Sequence, residues 1–176
     1  FPLAKGDFSV GGEYSHSRRK NLYAVLPTGV VDDENNRIKE NIASIFMDYS
    51  KQFGKVGLQV GLRYERVGFN YYERDVLVHA QSKRYADWFP SLTLSFPVHA
   101  VQMQLSYSSD INRPTFQKLR SGVQFDNRFT YESGNPFLLP AISRNLSYAL
   151  SWKWFSLSAM FARVSNQTCY IMQHYK

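Results

Sequence analysis

Hydrophobic and polar residues alternate one by one through several parts of the chain. In the clearest case, 55–67, apolar or aromatic residues stand at every second position from Val56 to Tyr64, with glycine, polar or charged residues between them. A period of two puts successive side chains on opposite faces of an extended strand, whereas a helical face repeats every ~3.6 residues. This segment is therefore predicted to be a β-strand with one apolar face and one polar face.

Further segments with the same alternation follow along the chain. They are 8–14, 41–50, 91–96, 101–108, 142–152 and 155–161. Consecutive strands that are joined by short turns pair in antiparallel fashion. The predicted fold is therefore all-β, an antiparallel meander of about seven strands.

The predicted connections alternate between short and long. Short ones fall at 51–54, 97–100 and 152–155, and long ones at 21–38, 68–84 and 110–141. Three structureless loops of that size are uncommon in a compact soluble domain. Outer-membrane barrels, in contrast, have short turns at one rim and long loops at the other. The alternation therefore favours a segment of a transmembrane β-barrel.

Aromatic residues, 16% of the chain, collect near the ends of the predicted strands. Those toward the long connections are Tyr64, Tyr71, Tyr72 and Tyr107, and those toward the short turns are Tyr49, Phe53, Phe96, Trp152, Trp154 and Phe155. Tyr, Trp and Phe are enriched where a protein meets the two membrane–water interfaces. Two aromatic belts are therefore predicted, whereas a sandwich core would place aromatic residues at mid-strand as well.

Composition excludes several classes of protein. Hydrophobic residues are 44% and charged residues 20% of the 176, which does not suit a disordered or coiled-coil chain. The longest nearly unbroken apolar stretch, 137–142, is far shorter than the ~20 residues of a membrane-spanning helix. The net charge is +7, but Lys and Arg are spread from Lys5 to Lys176, so no nucleic-acid partner is expected.

No catalytic chemistry is predicted, and the chain is not expected to be an enzyme. The four histidines fall on different predicted elements without the spacing of a metal site, and Cys169 is the single cysteine. The sequence has neither a nucleophile elbow nor a phosphate-binding glycine loop. We therefore expect no metal and no cofactor.

Several motifs in succession carry a family resemblance. The runs are YSKQFGKVGLQVGLRYE at 49–65, FPSLTLSF at 89–96, LSYS at 105–108, INRP at 111–114, FTY at 129–131, GNP at 134–136 and LP at 139–140. In this order and at this spacing, the chain resembles the barrel of the TonB-dependent outer-membrane receptor superfamily of Bacteroidetes-type bacteria. The resemblance extends over 7–164.

The resemblance implies a location in the bacterial outer membrane and a role in the uptake of a nutrient too large for porins. It also implies a barrel of many more than seven strands, an internal plug domain and a periplasmic contact with the TonB system. Residues 1–176 are then expected to be a single partial barrel domain, with the plug and the remaining strands outside this chain. Two alternatives stay open: a small closed eight-stranded outer-membrane barrel, in which 168–175 pairs with the first strand, and a soluble β-sheet module for binding or adhesion.

The connection 110–141 is the main candidate for function. Its motif residues combine rigid turns with hydrogen-bond donors and an aromatic ring: Asn112, Arg113, Pro114, Tyr131, Gly134, Asn135 and Pro136. Such a loop suits either a lining of the ligand vestibule or a structural clasp. We predict these residues as ligand-loop candidates, with the clasp as the alternative.

Arg18, Arg19 and Lys20 form the longest run of adjacent cations, at the outer end of the first predicted strand. Guanidinium and ammonium groups bind phosphate oxygens through charge-assisted hydrogen bonds. We therefore predict a contact with lipopolysaccharide phosphates, beside the general contact with outer-membrane lipid. The alternative is an ordinary charged loop base.

Overall fold

The computed structural model describes residues 2–3, 5–23, 34–127 and 130–172. The strands in these ranges are β1 (Pro2–Leu3), β2 (Gly6–Tyr23), β3 (Glu34–Phe53), β4 (Val56–Glu73), β5 (Val76–Leu77), β6 (Lys83–Val98), β7 (Val101–Asn112), β8 (Val123–Asn127), β9 (Thr130–Ser133), β10 (Ala141–Trp152) and β11 (Phe155–Ser165). One turn of 3-10 helix spans His79–Gln81. Within the described ranges, no helix is long and apolar enough to cross a membrane.

The long strands form one antiparallel sheet in which each strand pairs with the next long strand along the chain. The order is β1-β2-β3-β4-β6-β7-β10-β11, with β5 beside β4. Strands β8 and β9 form a separate hairpin within the connection from β7 to β10. The predicted all-β antiparallel meander is confirmed.

Strand pairing divides the sheet into two faces, because residues directly opposite each other in antiparallel strands share a face. Met47 lies opposite both Val10 and Leu62, and Leu105 lies opposite both Leu94 and Tyr148. We call this side the apolar face. Between the short turns and an upper edge at Tyr14, Ala43, Tyr64, Trp88, Tyr107, Leu146 and Phe161, the apolar face is almost entirely hydrophobic, and we call this part the apolar band.

The opposite side, the polar face, contains the buried core. Ile38, Phe69 and Tyr71 pack there against Leu119 of the connection from β7 to β10. In contrast, many side chains of the apolar band are open to the surroundings, among them Val10, Ile45, Leu92, Leu105, Leu157 and Phe161. A continuous exposed apolar surface of this extent requires lipid or a protein partner.

The predicted short connections are two-residue turns. The strand ends Phe53 and Val56 lie directly opposite each other, as do Val98 and Val101, and Trp152 and Phe155. Gly54 has φ of 60°, which a glycine adopts without strain. Tight turns of this kind join adjacent antiparallel strands and fix their register.

Two of the predicted long connections are wrong in extent. Strand β4 continues to Glu73, and only 74–82, which include β5 and the 3-10 turn, separate it from β6. Likewise, the predicted connection 21–38 is strand up to Tyr23 and again from Glu34, and 24–33 lie outside the described residues. The reason is that the apolar residues change from one face of the strand to the other along its length. In β4 the apolar residues stand at even positions up to Tyr64 and at odd positions from Val67.

The aromatic belts need two corrections. Tyr64 and Trp88 are in contact at the upper edge of the apolar band, with ring centroids 4.7 Å apart and the ring planes tilted by 46°. Tyr71, in contrast, is fully buried on the polar face, and Tyr72 lies opposite Arg37, well beyond that edge, so neither is part of a belt. At the end of the described chain, β11 stops at Ser165 and residues 167–172 form no strand.

Candidate functional site

The described part of the connection 113–140 folds back onto the polar face of the sheet, beyond the level of the apolar band. Phe116, Leu119 and Leu138 pack on the buried cluster of Ile38, Phe69 and Tyr71. Long loops with their own packed side chains are often functional in proteins. We call this segment the clasp loop.

A buried ion cluster ties the start of the clasp loop to the sheet. The Arg113 guanidinium pairs with the Glu65 carboxylate, and Arg63 pairs with the same carboxylate at 2.9 Å. Glu65 is only 2% exposed, and Arg63 also lies 3.5 Å from Glu13 on β2. Two guanidinium groups thus compensate one buried carboxylate, which is the arrangement that a buried charge requires.

Four polar side chains, that of Arg113 among them, converge on a small cavity. It measures about 20 Å³ and is lined by Glu40, Lys83, Tyr85 and Arg113, together with apolar residues of the clasp loop. Burial lowers the pKa of the Arg113 guanidinium, while the Glu40 carboxylate opposes that shift. A space of this size accommodates about one water molecule rather than a ligand.

The second motif of the clasp loop, Gly134-Asn135-Pro136, is held by backbone contacts. A Cβ at Gly134 would lie 2.6 Å from the carbonyl oxygens of both Lys118 and Arg120, so only glycine fits there. The Asn135 N–H donates to the Lys118 carbonyl at 2.6 Å, and the Asn135 side-chain oxygen accepts from the Phe137 N–H at 2.9 Å. The two halves of the loop therefore bind each other directly.

The sheet holds the clasp loop through two further side chains. The Lys83 ammonium donates to the carbonyl oxygens of Pro136, at 3.1 Å, and Leu138, at 2.6 Å. The Tyr71 hydroxyl lies 2.8 Å from the Ser121 hydroxyl. Because Lys83 also lines the cavity beside Arg113, it connects the two motifs of the loop.

The predicted ligand-loop residues thus divide into two groups. Arg113 and Pro114 line the small cavity together with Lys83, and the Lys83 ammonium binds the Gly134–Pro136 motif at the Pro136 carbonyl. Asn112 ends β7 opposite Ala141 and is exposed. The backbone of Tyr131 belongs to β9, opposite Phe125, and its side chain lies outside the described part.

The sheet residues that hold the clasp loop were not predicted: Glu40, Arg63, Glu65, Tyr71 and Lys83. One signal in the sequence is present, because Arg63 and Glu65 are charged residues on the same face of one predicted strand. Such a pair on a face otherwise lined by glycine and glutamine indicates a specific partner. The sequence does not say where that partner is.

The predicted cation run does not form one site. Arg18 and Lys20 point to the side of the apolar face, where they lie opposite Lys39 and Arg37. Arg19 belongs to the polar face, and its guanidinium lies 5.2 Å from the centre of the Phe116 ring. Alternation along a strand separates neighbours in this way.

A comparison with family models identifies the fold independently. The model of the outer membrane protein beta-barrel family matches residues 1–175. The chain belongs to the outer membrane protein beta-barrel family. In a member of this family, the apolar band is the lipid-facing surface, and the polar face is the lumen side that carries the clasp loop. Family membership indicates the outer membrane as its location. No curated protein and no solved structure matches the chain.

A substitution at Gly134 tests the closure of the clasp loop in this barrel protein. We expect Gly134→Ala to displace the loop, because the added methyl group meets two backbone carbonyls. Overpacking of this kind destabilises by about 1–3 kcal/mol. Limited proteolysis of the full-length protein in detergent should show faster cleavage within 113–140. Gly68→Ala is the matched control, because a Cβ at Gly68 has no atom within 4 Å. Equal cleavage of the two variants would contradict the tight closure.

Proposed function

We propose that this chain is part of the barrel wall of a TonB-dependent outer-membrane receptor for nutrient uptake, of the kind found in Bacteroidetes-type bacteria. In this proposal the chain has no enzymatic step of its own. The barrel surrounds a plug domain, and the TonB system supplies energy through other parts of the receptor. The predicted ligand-loop residues act where the nutrient enters.

The single observation that carries this proposal is the small size of the polar side chains on the lumen side. Below the clasp loop they are mostly hydroxyl, amide or glycine residues: Ser9, Ser50, Gln59, Gly61, Ser91, Thr93, Gln104, Ser106, Asn145, Ser147 and Ser158. A barrel of about eight strands has an interior just wide enough for its own side chains to fill. Small polar residues suit a wider lumen that is filled by another part of the protein and not by the side chains of the barrel wall.

The height of the wall supports the same proposal. Strands β2, β3 and β4 contain 18, 20 and 18 residues. A membrane-spanning β-strand needs only about 9–11 residues. The additional residues extend the wall beyond the apolar band, and the clasp loop lies on its lumen side. A vestibule above the membrane, through which a ligand passes, is consistent with this arrangement.

The alternative is a small closed eight-stranded outer-membrane barrel, which family membership equally allows. A soluble binding or adhesion module is less favoured, because the exposed apolar band is continuous over the long strands. The contents of the lumen distinguish a receptor from a small barrel. A receptor lumen contains a folded plug, whereas the lumen of a small barrel contains only its own side chains.

Cysteine labelling tests whether a plug covers the lumen wall. In the full-length receptor, with Cys169 replaced by serine, we expect Ser147→Cys to resist a hydrophilic maleimide, because the plug lies against it. Deletion of the plug should increase its labelling by about tenfold or more, since an open lumen is wet. The matched control is the adjacent Tyr148→Cys, which lies opposite Leu105 within the apolar band and should stay unlabelled in both forms.

Two results would overturn the proposal. One is a mature protein whose denatured mass is close to the 20.4 kDa of this chain, which would favour the small closed barrel. The other is failure of the full-length protein to bind an immobilised periplasmic domain of TonB, which would remove the energy source. Rapid labelling of Ser147→Cys in the presence of the plug domain would contradict the covered lumen.

A further inference from the structure

The two faces of the sheet differ in their acidic residues. In the seven long strands, each acidic residue with a described side chain lies on the polar face: Asp7, Glu13, Glu40, Asp48, Glu65, Glu73, Asp87 and Asp110. On the apolar face of the same strands, the described ionisable side chains other than tyrosine are all Lys, Arg or His. No acidic side chain is therefore described on the membrane-facing side of these strands.

The Lys and Arg side chains of the apolar face lie mostly on one side of the apolar band. Except for Lys51 near a short turn, they lie two to six residues beyond its upper edge, about 7–20 Å along a strand, and we call them the cationic belt: Arg18, Lys20, Arg37, Lys39, Arg66, Arg84, Arg144 and Arg163. Arg66 follows Tyr64 by two residues, a distance of about 7 Å along a strand. Arg66 and the other belt residues nearest the band thus lie at the height of lipid headgroups, beyond the interfacial contact between the Tyr64 and Trp88 rings.

The belt places like charges directly opposite each other. Arg18 faces Lys39, Lys20 faces Arg37, and Arg144 faces Arg163. Like charges in these positions destabilise a sheet unless an anion lies between them. Arg37 pairs with Asp75 at 2.8 Å. Within the described part of the chain, the other belt residues have no carboxylate partner.

A groove interrupts the belt between two of its arginines. It measures about 210 Å³ and is lined by Tyr14, Asn41, Ala43, Arg66, Gly68 and Arg84. Its floor is open at Gly68, where a Cβ would have no neighbour within 4 Å. On one side, Asn41 accepts a hydrogen bond from the Tyr14 hydroxyl at 3.1 Å and lies 2.6 Å from His16 Nδ1. Hydroxyl and amide groups therefore lie next to the two guanidinium groups.

We propose that this groove binds a phosphorylated glycolipid of the outer leaflet, of the lipid A type. Arg66 and Arg84 bind its phosphate oxygens, Tyr14 and Asn41 face its sugar, and its acyl chains lie on the apolar band. The neighbouring Arg18, Lys20 and Lys39 extend the phosphate contact along the belt. Arg19, which was predicted with this group, faces the lumen and takes no part. The inference depends on the lipid contact of the apolar band and not on the transport role.

Lipid co-purification tests the site. The full-length protein is folded into phosphatidylcholine vesicles that contain bis-phosphorylated lipid A, dephosphorylated lipid A or phosphatidylglycerol, and the lipid that remains bound after detergent extraction is measured by mass spectrometry. We expect retention of bis-phosphorylated lipid A and about a tenfold or larger loss in Arg66→Gln/Arg84→Gln, because charge-assisted hydrogen bonds disappear. Lys51→Gln is the matched control, since it removes a cation of the same face below the apolar band.

The contrary outcomes are equally defined. Equal retention of dephosphorylated lipid A or of phosphatidylglycerol would overturn the assignment, as would equal losses in Lys51→Gln. If Arg66→Gln/Arg84→Gln does not fold, as judged by heat-modifiable mobility, Arg18→Gln/Lys20→Gln replaces it, because both side chains are exposed. Its control is Arg19→Gln on the lumen side. We expect a loss of bound lipid A in Arg18→Gln/Lys20→Gln and no loss in Arg19→Gln. The same loss in both variants would refute binding of lipid A by the cationic belt.

Discussion

Glu65→Gln is expected to destabilise the folded protein by about 3 kcal/mol or more, the usual effect of removing one partner from a buried ion pair. The carboxylate is 2% exposed and compensates the guanidinium groups of both Arg63 and Arg113. A neutral amide leaves the two guanidinium groups close together without the carboxylate that pairs with both. The measurement is urea unfolding of the full-length protein in phospholipid vesicles, followed by tryptophan fluorescence.

The control for this prediction lies on the same strand and face. Glu73→Gln removes an exposed carboxylate at the end of β4, and we expect a change of at most about 0.5 kcal/mol. The double variant Glu65→Gln/Arg113→Met should lose clearly less stability than the sum of the two single variants, because contacting residues are coupled. Additive effects would show that the pair does not hold the clasp loop.

The sequence predicts the fold well where a strand keeps one constant phase. Val56, Leu58 and Val60 share a face throughout the apolar band, so alternation alone identifies that part of β4. Beyond the band the environment reverses, because the lumen side is covered by the clasp loop and the outer side faces water. Apolar residues then move to the other face, as Phe69 and Tyr71 show. A prediction that keeps apolar residues on one face along the whole strand ends the strand at this point. It therefore misses the outer ends of the strands.

Residues of the candidate site could be predicted only in part. The motifs around Arg113 and Gly134 are short and continuous in sequence. They can be recognised because they combine turn-forming residues with hydrogen-bond donors. Their partners Glu65 and Lys83 come from other strands, and only the register of the sheet brings them together. The cation run shows the opposite error, since adjacent residues of a strand point to opposite faces and Arg19 separates from Arg18.

Leu105→Arg is the most direct test of which face meets lipid. Leu105 lies within the apolar band, opposite Leu94 and Tyr148, and a cation near the bilayer midplane of a barrel destabilises it by about 2–4 kcal/mol. We expect this loss in reversible urea titrations of the full-length protein in phosphatidylcholine vesicles. The adjacent Gln104→Arg places the same charge on the polar face, where the lumen tolerates it, and should change stability by at most about 0.5 kcal/mol.

Depth provides a second control within the same strand. Val101 begins β7 at a short turn on the same face as Leu105, and Val101→Arg should destabilise by only about 0–1 kcal/mol because its side chain reaches the interface. A lipid-facing band thus predicts the order Leu105→Arg, then Val101→Arg, then Gln104→Arg. Similar losses for all three variants would mean that the sheet has no lipid-facing side. A larger loss in Gln104→Arg than in Leu105→Arg would mean that the two faces are exchanged, and the cationic belt would then line the lumen.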